Sequence, residues 1–128
     1  MAYFVYFLFL GDLKRGKSRP IYIGMTSDLG RRLLYHASNK GARRTRGQVL
    51  RLARVEKFPN YRKAAQRGNA LKRDPVLKQK TTRLALIQEF QAQNGDWLTQ
   101  INHSFEKLFT IIENINQVSK KMGKEMSL

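Results

Sequence analysis

Two phenols, a guanidinium and an imidazole are the side chains of this sequence whose types and spacing suit chemistry at a phosphodiester. Tyr6 falls in an apolar run over residues 2–10 and Tyr22 in a second over 20–25, with a polar, glycine-containing connection between them. A connection centred near Lys14 sets Tyr6 opposite Tyr22, because opposed residues of paired strands share a face. Gly24 follows two residues along that face, where the lack of a side chain lets a phosphate backbone come close. Arg32 and His36 are four residues apart and stack on one side of the helix that follows. A phenol or an imidazole can take a proton from water, and a guanidinium can brace the extra negative charge of a pentacovalent phosphorus. Hydrolysis of this kind also calls for a divalent cation, usually held by a carboxylate.

The elements that must hold these groups follow from periodicity. Residues 3–10 are apolar on both alternating faces, which suits a central strand. Pro20 opens a second strand over 20–25, at a position where a missing N–H does little harm. Thr26, Ser27 and Asp28 are helix-start residues, and a helix is expected from about Asp28 to Ala37 with Leu29 and Leu33 inward. Residues 38–48 are polar, basic and glycine-flanked, hence a loop. Alternation over 49–57, with Val49, Arg51, Ala53 and Val55 against Leu50, Leu52 and Arg54, predicts a third strand. Helices are expected at about 61–73, ended by Pro75, and at 76–92. Asn94-Gly95 then breaks the chain, and Asp96 caps a last helix. There Leu98, Ile101, Phe105, Leu108, Ile112 and Ile115 recur at spacings of three and four. Such a stripe serves either as core or as the seam of a homodimer through the C-terminal helix. The order β-β-α-β-α-α-α gives an α/β fold: a small three-stranded antiparallel sheet flanked by helices, with a C-terminal helical extension. The expected division is a domain over 1–90 and the extension over 91–128.

Charge points to the partner. The 128 residues make one ordinary domain, and 41% hydrophobic residues supply a packed interior rather than a disordered tail. The net charge is +16, and residues 1–90 carry all of it, with 21 Lys/Arg against 5 Asp/Glu. Residues 91–128 hold 4 against 4. A surface this positive draws a polyanion through counterion release, so nucleic acid is the expected partner, DNA first and RNA as the alternative. No basic amphipathic helix with a wide apolar face is evident, so no membrane partner is expected. The run over 2–10 is too short to span a bilayer and lacks the flanks of a leader. The absence of cysteine excludes disulfides and thiolate–zinc sites and fits a cytoplasmic protein.

With these residues placed, the sequence resembles the GIY-YIG nuclease superfamily, in particular its small standalone bacterial-type members. Phe4-Val5-Tyr6 and Tyr22-Ile23-Gly24 are similar to the two halves of the signature, the first departing with Phe-Val where Gly-Ile gives the family its name. Residues 23–36 (IGMTSDLGRRLLYH) resemble the second strand and first helix, 41–47 the basic loop, and 55–59 the third strand and its exit. The similarity covers about residues 3–86. It implies a DNA endonuclease that cuts phosphodiester bonds with Mg²⁺ or Mn²⁺, in repair, recombination, restriction or homing. Tyr6 would help activate water, and Tyr22 would support proton transfer or contact the phosphate. Arg32 would stabilise the transition state, with Arg31 the adjacent alternative, and His36 would assist proton transfer or phosphate binding. Gly24, Arg31, Lys40, Arg43, Arg44, Arg46 and Lys72 are the positions expected along the nucleic-acid backbone. Family members place a metal-binding Glu in the second helix, four residues after an Ala and three before a Leu-Lys or Ile-Lys pair. Ala64, Leu71 and Lys72 fit that frame, but the Glu position holds Gly68, which offers no ligand. The alternative is a catalytically silent nucleic-acid-binding module on the same scaffold.

Overall fold

The computed structural model describes residues 1–10, 20–37 and 50–126. The loop cations Lys40, Arg43, Arg44 and Arg46 lie outside the described residues. The elements run β1 (Tyr3–Leu10), β2 (Ile21–Thr26), α1 (Leu29–Ala37), β3 (Leu50–Phe58), α2 (Tyr61–Arg73) and α3 (Lys80–Met126). The three strands form an antiparallel sheet in the order β2-β1-β3. The strand that is apolar on both faces takes the centre, where each face is covered by helix. Tyr6, Leu8 and Leu10 share one core cluster with Leu33 of α1 and Leu98 of α3. Val5 and Phe7 share the other with Ala64 and Leu71 of α2 and Ile87 of α3. Among the described residues, no helix is long and apolar enough to cross a membrane.

Three expectations are corrected. First, Tyr6 pairs with Gly24, and Tyr22 pairs with Leu8. The hairpin register is thus offset by two residues from the one that sets the tyrosines opposite each other. An offset of two keeps every side chain on its own face, so the tyrosines are diagonal neighbours. Second, the register between β1 and β3 shifts between Phe7 and Leu8, so that Phe7 meets Arg54 and Leu8 meets Leu52. Ala53 is the extra residue of this bulge, and strict alternation fails there. Leu52 and Val55 go to the α1 face, while Ala53 joins the α2 core cluster. Third, residues 74–79 form a turn, not helix. The Asp74 carboxylate accepts from the Val76 and Leu77 amides at 2.9 and 3.2 Å, which holds the chain in that turn.

The two C-terminal helices are one helix with a bend. Asn94 has non-helical angles (φ −133°, ψ 23°). Its side-chain amide donates to the Phe90 carbonyl at 3.1 Å, which retains a link across the bend where the sequence predicts a break. The expected division at 90/91 falls inside this helix. Beyond the bend, Leu98 and Ile101 lie on the α1-side core, and Asn102 reaches the outer edge of β3. Its side-chain oxygen accepts from Leu52 N at 2.7 Å, and its amide donates to Leu52 O at 3.0 Å. An edge-strand residue thereby finds partners for both backbone groups. Leu108 and Ile115 of the predicted stripe are exposed.

Candidate active site

Local structure fixes the helix that carries two of the four groups. The Asp28 carboxylate accepts from Arg31 N at 3.1 Å, capping α1, and the Asp28 carbonyl accepts from Arg32 N at 3.1 Å. Thr26 Oγ1 braces the same turn through Asp28 N at 3.1 Å. With the start fixed, helical pitch puts Arg32 and His36 on one side, above the sheet face that carries Tyr6 and Tyr22.

The structure brings these four together. Tyr6 Oη lies 2.9 Å from His36 Nε2. The Tyr6, Tyr22 and His36 rings form a triangle with centroid separations of 6.3, 6.0 and 5.6 Å. The Arg32 guanidinium hydrogen-bonds the Tyr6 oxygen, which raises the guanidinium pKa further against the opposing effect of burial. It also lies 5.5 Å from the centre of the Tyr35 ring. Arg31 is exposed on the outer side of α1 and joins none of this.

The electrostatics give a neutral pair beside a cation. Burial pushes the Tyr6 phenol up to about 12, with the hydrogen bond from Arg32 pulling the other way. Burial first, and the Arg32 charge second, lower His36 to about 4. At neutral pH the phenol therefore keeps its proton and the imidazole is uncharged. The bond between Tyr6 and His36 joins two uncharged groups, and which of them donates follows the imidazole tautomer. Among the described residues, Arg32 Nε is buried with no hydrogen-bond partner, a state that costs on the order of 1–3 kcal/mol.

Two features differ from the expectation. Tyr6 is 0% exposed and His36 1%, so neither touches solvent; Tyr22 and Arg32, both half-buried, form the accessible part. The cause is the cover over this face, where Leu33 and Leu98 belong to the same core cluster and Phe90 packs against it. Gly24 is also not a gap for a phosphate. A Cβ there would lie 2.3 Å from Tyr6 Cζ and Oη, so the phenol itself occupies that space.

The remaining groups are elsewhere. Lys72 is exposed on α2, the helix that packs on the opposite sheet face. Gly68 is on that helix too, and nothing lies within 4 Å of where its Cβ would be. Glu56 turns to the α2 side and is clamped. Its oxygens accept from Arg54 Nε at 2.8 Å and from Arg67 Nε and Nη2 at 2.8 and 3.1 Å. Burial alone would raise this carboxyl, but the bonds from Arg67 and Arg54 outweigh it and hold the group below its usual range. The sequence reading missed this clamp. Arg54-x-Glu56 has the spacing of same-face strand neighbours and was a visible signal; Arg67 carried none.

A divalent cation does not fit this donor set. Among the described residues, no three His, Cys, Asp or Glu gather where they can hold a metal. Asp28 caps α1, Asp74 caps a turn and Glu56 is neutralised by two arginines. A site whose nearest cation is Arg32 supplies no anionic ligand to offset a second positive charge.

A family model described as the GIY-YIG catalytic domain matches residues 2–93. No curated protein and no solved structure matches the chain.

Proposed function

Because the chain belongs to the GIY-YIG family, whose domains are nuclease-type, we propose that it is a DNA endonuclease of that family with its phosphate-handling groups kept and its hydrolysis slowed. The observation that carries this reading is the 2.9 Å bond between Tyr6 and His36, with Arg32 and Tyr22 beside it. A module that only gripped a backbone would need the cation but not a neutral phenol–imidazole pair. In this reading Arg32 and Tyr22 meet the scissile phosphate, and Arg32 Nε takes a phosphate oxygen as its missing acceptor. The water's proton goes to the Tyr6 oxygen as the Tyr6 hydroxyl gives its own to His36, a relay that needs the opened site to remove the burial that now raises the phenol and lowers the imidazole. Entry of a phosphate requires the cover over Tyr6 to shift. The lack of a free carboxylate beside these groups, among the described residues, accounts for slow turnover.

A second reading is a nucleic-acid-binding module without cleavage. It is favoured by the burial of Tyr6 and by the lack of a free carboxylate among the described residues. The test is cleavage of plain, nicked and branched DNA with Mg²⁺ or Mn²⁺. Under the first reading the wild-type chain cuts slowly, and Tyr6→Phe and Arg32→Ala each lower the rate by about 100-fold or more. Binding with no cutting on any substrate selects the second reading.

A further inference from the structure

The family match ends at Gln93, and α3 continues for another 33 residues to Met126. Among the described residues, the ion pair between Arg51 and Glu106 anchors it to the body. Beyond it, Leu108, Ile111, Ile115, Val118 and Met122 are 42, 54, 58, 57 and 55% exposed. Their spacings are three, four, three and four, the repeat of a coiled-coil seam. The polar side of the same helix carries Thr110 and Gln117, and Asn114 and Lys121 flank the stripe, all four exposed. At 1.5 Å per residue the stretch from Lys107 to Met126 is about 30 Å long. A helix of this length with its apolar side in water is marginal on its own, since most helical stability comes from packing that side.

Charge decides what covers it. No seam position is charged, and residues 91–128 are balanced at 4 Lys/Arg against 4 Asp/Glu, whereas residues 1–90 carry the whole +16. A nucleic acid needs cations along the contact, and an anionic bilayer needs a basic rim around the apolar stripe; only Lys107 and Lys121 flank the stripe, on a segment with no net charge. A second copy presents the same uncharged stripe with the same 3-4 spacing, so knobs of one meet holes of the other. The geometry points to a two-chain coiled coil, in which Leu108, Ile111, Ile115, Val118 and Met122 of two copies pack together and hold two basic bodies on one stem. The inference is independent of whether those bodies cut DNA.

Salt separates this contact from electrostatic ones. Two +16 bodies repel, and the Debye length shrinks from about 10 Å at 0.1 M to about 3 Å at 1 M salt. Self-association of the full chain therefore tightens as salt rises, opposite to phosphate binding. Sedimentation velocity over micromolar concentrations at low and high salt reads this directly. A species of twice 14.9 kDa is expected, more populated at high salt. Ile111→Lys with Ile115→Lys weakens it at least ~100-fold by burying unpaired charge. Gln117→Lys adds a charge to the polar side of the same helix and leaves the dimer intact. A monomer at every concentration and salt overturns the inference, as do a larger oligomer, a dimer that survives the double lysine variant, and equal loss in Gln117→Lys.

Discussion

The two faces of the sheet handle their polar groups in opposite ways. Under α1, a buried phenol and a buried imidazole are uncharged and bonded to each other, and the cation beside them has a donor with no partner. Under α2, the part-buried carboxylate of Glu56 is committed through three hydrogen bonds, one from Arg54 and two from Arg67. Arg54 also donates to the Leu86 carbonyl at 2.7 Å, so the clamp ties β3 to both α2 and α3. The first face has unspent donor capacity and no anion; the second has an anion and no spare capacity. The difference fits the proposed reactive site on the α1 side and structural cohesion on the α2 side.

Breaking the clamp is expected to have the largest effect on stability. Glu56→Ala leaves two partly buried guanidiniums without their anion and costs about 3–5 kcal/mol, read in chemical denaturation. DNA binding and cutting per folded molecule stay unchanged. A loss of cutting without a loss of stability would instead make Glu56 part of the reactive site and erase the contrast between the faces.

Titration separates the faces next. His36 sits near 4 when folded, against about 6.5 in an unfolded chain. Between those values the unfolded chain binds the proton and the folded one does not. Stability therefore falls as pH drops from about 6.5 towards 4, by up to ~3 kcal/mol. Glu56 has a depressed folded pKa, so its contribution is present above its unfolded value and is lost at lower pH, below about 4.5. Thermal melts from pH 8 to 4 should show the decline begin near 6.5, and His36→Gln should flatten that upper portion alone. A decline that starts only below 4.5 in the wild type would mean that His36 is hydrated.

The close fit of Tyr6 over Gly24 gives the smallest of these effects. Gly24→Ala sets a methyl against the phenol at 2.3 Å and displaces it, at about 1–3 kcal/mol by overpacking. It should also lengthen the bond to His36, visible as a rise in the imidazole pKa by proton NMR. Unchanged titration of His36 in that variant would loosen the link between Gly24 and the pair.

Much of this was readable from residue order. A strand apolar on both faces had to be central, and Asp28 followed by a leucine-spaced helix fixed the phase of Arg32 and His36. The hairpin register was not readable, because a shift of two residues preserves every face and so leaves the apolar pattern unchanged. The core cluster that buries Tyr6 is completed by Leu98 and flanked by Phe90, which come from a helix far along the chain. The orientation of Glu56 depends on a bulge at Ala53, which strict alternation does not anticipate. Asn94-Gly95 carries a strong break signal, yet packing on both sides and the bond to Phe90 keep the helix running as one bent rod.

The central claim is that Arg32 and Tyr22 on the α1 face meet the scissile phosphate beside the Tyr6–His36 pair. Single-turnover cutting of labelled DNA by wild type, Tyr6→Phe and Arg32→Ala, in Mn²⁺, with binding followed in parallel, measures this directly. The account predicts slow cutting by wild type that falls by about 100-fold or more in each variant, while Tyr6→Phe still binds DNA. No cutting by wild type, or rates unchanged in both variants, would contradict it.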